Sequence, residues 1–162
     1  MQSIQTNRLT INPLLSEHDH FILELLNTAG WKEFIGERNV HTVSDARKYI
    51  QNIQEKPNTD FWVVTLKDEA APIGVLSFLK RDYLDHKDIG FAFLPQVAGR
   101  GYAFEASSAL LNELLAGQDV IYATTIPHNY NSIKLLNKLG FKFIKNFKND
   151  QLALQLYCIN KT

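Results

Sequence analysis

The stretch Pro95-Gln96-Val97-Ala98-Gly99-Arg100-Gly101-Tyr102-Ala103-Phe104-Glu105-Ala106 constrains this chain more than any other. It follows an apolar run, Ile89 to Leu94, with the composition of a strand, and it opens a helical pattern that continues to about Ala116. Gly99 and Gly101 let the backbone turn tightly and come close to a ligand. The first N–H groups of the new helix have no intrahelical partner and point outward with the positive end of the dipole. Strand, glycine turn and helix in that order make a site for a phosphate or pyrophosphate. The same short motif also serves as an ordinary strand-to-helix turn, so its surroundings must decide.

Those surroundings predict an α+β domain with a mixed sheet of about seven strands. Thr6 to Leu14 reads as a first strand. Ser16 is placed to cap a helix through Phe21, Ile22, Leu25 and Leu26, with Asp19 near its N-terminal dipole. Trp31 to Phe34 is a short helical turn. Ser44 is placed to cap a helix with Ala46, Tyr49, Ile50 and Ile53 on one side, stopped before Pro57. Phe61–Leu66, Ile73–Leu79 and Ile89–Leu94 are dense aromatic and β-branched runs with short connections, which makes them antiparallel neighbours. The long helix from Gly101 to Ala116 then leads to Val120–Thr125, as in a parallel βαβ crossover. A helix from Asn131 to Leu139 ends at Gly140, and Phe141–Phe147 and Leu152–Ile159 close a hairpin around Lys148 to Asp150.

With 162 residues and no linker or repeat, residues 1–162 read as one domain. Lys plus Arg and Asp plus Glu both number 17, giving no whole-molecule attraction to nucleic acid or acidic membranes. The single cysteine, Cys158, excludes an internal disulfide and reads as a buried structural thiol in an apolar alternation. The start, Met1 to Thr10, has no apolar signal core, and no window reaches membrane-spanning length, which makes the cytoplasm the expected compartment. The five histidines show no paired metal-ligand spacing, so no metal is expected.

A second constellation lies just past Val120–Thr125: Asn129-Tyr130-Asn131-Ser132-Ile133-Lys134-Leu135-Leu136-Asn137-Lys138-Leu139-Gly140-Phe141. Asn129 or Asn131 can cap this helix. Two adjacent parallel strands, each followed by a polar helix start, mark the place where ligands enter such sheets.

Together these motifs resemble the GNAT superfamily of acetyl-CoA-dependent N-acetyltransferases, and most closely the branch containing the ribosomal-protein N-terminal acetyltransferases. The superfamily's pyrophosphate loop, Arg/Gln-x-x-Gly-x-Gly/Ala, falls on Ala98-Gly99-Arg100-Gly101-Tyr102-Ala103. Glu105-Ala106, Asn7-Arg8-Leu9, Asp88-Ile89-Gly90-Phe91 and Leu139-Gly140-Phe141 are typical of that branch, and the likeness runs from Thr6 to Ile159. The resemblance implies an acyl-CoA N-acyltransferase fold, with the loop-bearing strand splayed from its parallel neighbour. It implies acetyl-CoA as co-substrate, its pantetheine amides pairing with the backbone of Phe91, Ala92 and Phe93. The pyrophosphate would meet the N–H groups of Gly99, Arg100, Gly101, Tyr102, Ala103 and Phe104, and Asn129 would bond the arm near the thioester. Lys134, Lys138 and Arg100 would screen the CoA phosphates. From Val120 to Asn149 there are five lysines and no acid, which residue by residue a plain solvated basic face explains more simply.

The implied chemistry is acyl transfer from a thioester to a neutral amine. A backbone N–H on the Phe91–Phe93 strand would donate to the carbonyl oxygen as it gains charge. Family members with a strand glutamate as base and a helix tyrosine as acid would carry them at Thr124 and Leu136, where neither residue can do that work. The position opening the loop is Ala98, which removes a side chain but not the backbone donors. Positioning must then carry more of the catalysis. Asp88 is a candidate to accept the amine proton, or else a strand-end charge. Ser132 is a candidate donor to the departing thiolate, or else a cap. His86 and His128 flank the expected cleft, as catalytic or structural groups. Trp31 to His41 and Arg81 to His86 should border the acceptor entrance, where Glu33 and Glu37 could attract a cationic amine.

Peptide N-termini, polyamines, aminoglycosides and small amino metabolites stay open as acceptors, and monomer and homodimer both fit. Two other readings remain: an acyl-CoA-binding module without turnover, and a nucleotide-binding α/β protein. The latter lacks a P-loop lysine pattern or dinucleotide fingerprint.

Overall fold

The computed structural model describes residues 2–162. Strands β1 (Ile4–Gln5), β2 (Leu9–Pro13), β3 (Thr59–Leu66), β4 (Ala71–Leu79), β5 (Asp88–Phe93), β6 (Val120–Thr125), β7 (Lys142–Asn149) and β8 (Leu152–Asn160) form one sheet in the order β1-β2-β3-β4-β5-β6-β8-β7. Every neighbouring pair is antiparallel except β5 and β6. Helix α4 (Tyr102–Gly117) carries the crossover between those two, as a parallel connection requires. Helices α1 (Asp19–Leu26), α2 (Ala29–Phe34) and α3 (Val43–Glu55) pack as one group, with α3 on β3. Helix α5 (Tyr130–Leu139) packs on α4 and β6.

The expected fold class holds, with eight strands in place of about seven. The expected strand Thr6–Leu14 is shortened to β2, and the extra strand, β1, lies just before that range. The Thr6 hydroxyl accepts from the Leu9 N–H at 3.0 Å, and the Thr6 N–H donates to the Leu9 carbonyl at 2.9 Å. The chain therefore folds over Asn7 and Arg8 into the β1–β2 hairpin.

Two expected caps are also corrected. Ser44 lies inside the first turn of α3, and Thr42 is its cap. The Thr42 hydroxyl accepts from the Asp45 N–H at 3.0 Å, while the Asp45 carboxylate accepts from the N–H groups of His41 and Thr42. A carboxylate three residues after the cap completes this reciprocal box, and Ser44 has Arg47 there instead. Ser16 opens a short 3-10 turn in which the His18 ring accepts from the Leu15 N–H at 2.9 Å, and α1 begins only after His18.

Pro72, expected in a turn, stands inside β4 opposite Thr65. The register shifts between Val64 and Thr65, and this bulge accommodates a residue with no N–H to give.

The core runs through Leu9, Ile11, Val63, Leu76, Ile89, Leu110, Ile121, Leu136 and Phe141, all fully buried, in one cluster joining the sheet to both helix groups. Each such side chain contributes about 1.5–3 kcal/mol on burial. That rigid frame holds the C-terminal ends of β5 and β6 at the site. Among the described residues no helix is long and apolar enough to cross a membrane.

Candidate active site

Strands β5 and β6 touch at one place only. Asp88 pairs with Tyr122, and the Tyr122 N–H donates to the Lys87 carbonyl at 3.0 Å. Beyond that point the strands part. The Leu94 N–H donates to Ile73 on the other side at 2.8 Å, which fixes the alternation along β5. Gly90 and Ala92 turn their amides toward β4, whereas Ile89, Phe91 and Phe93 turn theirs into the gap. Of the three residues expected to pair with a ligand through their backbone, Phe91 and Phe93 are therefore placed to do so. The Ala92 amide is spent within the sheet.

The glycine turn closes this gap at one end. Gly99 and Gly101 have φ of 78° and 81°, a region that side chains with a Cβ rarely adopt. Gly101 ends the turn and leaves the N–H groups of Tyr102, Ala103 and Phe104 at the open start of α4.

A clamp from the N-terminal hairpin fixes the turn. Arg8 reaches Glu105 through Nε at 2.7 Å and Nη2 at 2.6 Å, and its Nη1 donates to the Arg100 carbonyl at 2.9 Å. Its guanidinium lies 4.3 Å from the centre of the Tyr102 ring. The Arg8 N–H and the Thr6 hydroxyl both donate to the other Glu105 oxygen, at 3.0 and 2.6 Å. Burial pushes the Glu105 carboxyl up, but the bonds from Thr6 and Arg8 together hold it below the ordinary range. The Arg100 side chain does not line either cavity of the site. Its backbone carbonyl is the part that the clamp holds.

Two cavities meet at the parted strands. The outer one, about 640 Å³, runs from Phe91–Phe93 past Gly99, Gly101 and Tyr102–Phe104 to Lys134 and Lys138. Two lysines and no carboxylate line it, and the Lys138 ammonium sits 4.1 Å from the centre of the Phe104 ring. The inner one, about 230 Å³, lies on the side of Ser77, Arg81, Asp88 and Thr124. Phe91, Ala92, Asn129 and Ser132 line both, together with Trp31, Phe34 and Ile35 of the α2 segment.

Asn129 caps α5, its side-chain oxygen accepting from the Ser132 N–H at 3.3 Å. Its amide nitrogen keeps its donors free among the described residues. Ser132 is the capped residue rather than the cap. Thr124 and Leu136 both line the inner cavity, so the two positions without an acid or base do face the site.

Asp88 is buried, and both its oxygens accept from Arg81 Nε, at 3.1 and 3.0 Å. Burial raises its carboxyl above the ordinary range, against the pull of Arg81. His86 lies edge-on to Tyr122 and His128 against Phe34, and neither lines either of these two cavities. Cys158, expected to be buried, is only half-buried on β8 and lies away from both cavities.

Sequence reasoning missed the Arg8–Glu105 clamp and the Arg81–Asp88 pair, because partners 97 and 7 residues apart meet only through the sheet. It also missed the Trp31 indole N–H, which is buried without a hydrogen-bond partner in a residue that lines both cavities.

A parted parallel pair with a glycine turn and an open helix start at its mouth is the arrangement expected of the acyl-CoA-dependent transferases. Residues 8–142 match the family described as the acetyltransferase (GNAT) domain. The chain belongs to this family and is an acetyl-CoA-dependent N-acetyltransferase. It is 32% identical to the uncharacterized N-acetyltransferase YjdG of Bacillus subtilis (strain 168), over 97% of this chain and 98% of that protein. It is 29% identical to the uncharacterized N-acetyltransferase YnaD of the same strain, over 86% of this chain and 82% of that protein. In fold it superposes with TM-score 0.85 on RimL, a ribosomal L7/L12 alpha-N-protein acetyltransferase solved with coenzyme A. The two are 15% identical, with 98% of each chain covered.

Proposed function

We propose that the protein transfers the acetyl group of acetyl-CoA to a primary amine, of a small molecule or a protein N-terminus, by direct attack in a ternary complex. The observation that carries this reading is the meeting of two cavities at Phe91, Ala92, Asn129 and Ser132. The outer, lysine-lined cavity suits an anionic co-substrate with an extended arm, and the inner one suits the acceptor.

In this reading the free N–H groups of Tyr102–Phe104 and the held turn at Gly99–Gly101 bind pyrophosphate. Phe91 and Phe93 offer their gap-facing amides, one to the arm and one to the thioester oxygen as it gains charge. The free donors of Asn129 steady the arm. The amine lone pair forms the new C–N bond and the C–S bond breaks, with Ser132 able to donate a hydrogen bond to the departing thiolate, which takes its proton from solvent as the amine proton leaves to water. Asp88 is the only acid lining the inner cavity. It stands three residues from Phe91, about 10 Å along a strand, so it takes the amine proton through water.

Thr124 and Leu136 favour a second reading, an acyl-CoA-binding module with little turnover. Incubating the protein with acetyl-CoA and a panel of amines, and measuring free thiol, separates the two. Amine-dependent thiol release is expected. Tight CoA binding without any release would leave the binding module.

A further inference from the structure

Building on the acetyl transfer proposed above, we infer that the acceptor is a compact amine that also carries an anionic group, and that Arg38 selects it. Arg38 and Arg81 are the cations lining the inner cavity, and Asp88 is its one carboxylate. Arg81 already answers Asp88 with contacts of 3.1 and 3.0 Å. Arg38 has no carboxylate within 4.0 Å among the described residues, although two glutamates are close in sequence. Glu37 lies 3.6 Å from Lys32 and 4.0 Å from His41, and Glu33 lies 3.8 Å from His128.

Arg38 is exposed in the loop between α2 and α3 and lines this cavity. A Cβ at Gly36 would stand 3.2 Å from the Arg38 Nη1, and Tyr49 lines the same cavity. The φ of 117° at Gly36 suits glycine, so the loop can fold under the charge. A guanidinium without a carboxylate partner beside a cavity is a receptor for carboxylate or phosphate. Ser77, Tyr83 and Asn149 supply further polar lining.

The same charge repels polyamines and aminoglycosides, which bring several ammonium groups to a cavity of net positive charge. It also disfavours the protonated form of the incoming amine, which must be neutral to attack. The volume, about 230 Å³, favours a small acceptor over an oligosaccharide.

The test compares matched acceptors with saturating acetyl-CoA: an amino acid against its amide, O-phosphoethanolamine against ethanolamine, and a simple diamine. The anionic member of at least one pair should be better by about tenfold or more in kcat/KM, the worth of one charge-assisted hydrogen bond, with the gain mainly in KM. Whichever pair shows the larger ratio identifies carboxylate or phosphate as the anion. Arg38→Glu should abolish the preference and Arg38→Lys should keep part of it, both with acetyl-CoA affinity unchanged by calorimetry. Equal use of acid and amide together with equal use of the phosphate pair, or a diamine as the best acceptor, would overturn the inference. So would an unaltered preference in Arg38→Glu. Should no amine release thiol, the transfer reading fails by itself. The acceptor class is then read from binding of an N-acetyl amino acid and its amide to the CoA-loaded protein. A preference for the acid that is lost in Arg38→Glu supports the inference, and equal binding overturns it.

Discussion

Asp88 pairs with Arg81 and is proposed to take the amine proton, and a single substitution weighs the two. It is the counter-ion of Arg81 and, among the described residues, the one acid lining the inner cavity. Breaking a buried ion pair costs about 3–5 kcal/mol, and a loss below that range is expected because Arg81 remains 37% exposed. Asp88→Asn keeps shape and some hydrogen bonding. It should lower turnover by about tenfold, since water can replace an indirect base, and leave acetyl-CoA affinity intact. Stopped assays alongside chemical denaturation measure both. A rate loss beyond about a thousandfold would make Asp88 the indispensable base, and an unchanged rate would leave it as the counter-ion alone. At Gly101 the constraint is conformational. A β-branched residue at φ 81° is strained, so Gly101→Val should weaken acetyl-CoA binding by about tenfold or more in a folded protein. Calorimetry on a variant with native circular dichroism checks it, and unchanged affinity would remove the pyrophosphate from this turn.

At the scale of elements, the turn before α4 depends on a hairpin that is remote in sequence. Glu105 is held below its usual range in the fold, so its contribution is present above the unfolded value of about 4.3 and is lost as pH falls through the folded value. Glu105→Gln should therefore lose stability at neutral pH and show a shallower fall on acidification than the parent, as followed by thermal melts between about pH 3 and pH 7. Equal slopes would mean that the clamp carries no linked proton. Helix α5 gives a parallel case. Asn129→Ala removes a cap worth about 1 kcal/mol, but turnover should fall by more than that stability loss suggests, because the free amide donors go too. Kinetics that hold steady while the melting temperature drops would reduce Asn129 to a cap.

The elements that carry these sites were legible in the sequence where one face decides them. β5, α4, β6, α5 and the β7–β8 hairpin all lie within a residue or two of their expected bounds. What stayed hidden depended on distant partners. Asn7-Arg8-Leu9 and Glu105-Ala106 were separate motifs until the sheet joined them, and Thr42 displaced Ser44 as a cap through the reply of Asp45. The strand alternation that commits Ala92 to β4 and frees Phe91 needed the register, which no composition supplies.

For the whole molecule, the sheet is nearly two sheets. β1 to β5 form one part and β6, β8 and β7 the other, joined at Asp88 and Tyr122. A bound co-substrate should knit them together. Acetyl-CoA should raise the melting temperature with concentration, as mass action requires, whereas ATP should not. Amide exchange at Phe91 and Phe93 should slow on binding while that at Ala92, already bonded, changes little. A uniform slowing along β5 would contradict the alternation. The parting of β5 and β6 has another consequence. An unpaired strand edge is ordinarily an invitation to aggregation, since any extended chain can add to it. This edge is half-buried where two cavities meet, bordered by α2, the start of α4 and α5, so only a chain narrow enough to enter between them reaches it. The opening thus acts as a sieve. It leaves the polar backbone uncovered for one kind of visitor, and the protein keeps a reactive edge in every turnover without presenting it to its neighbours.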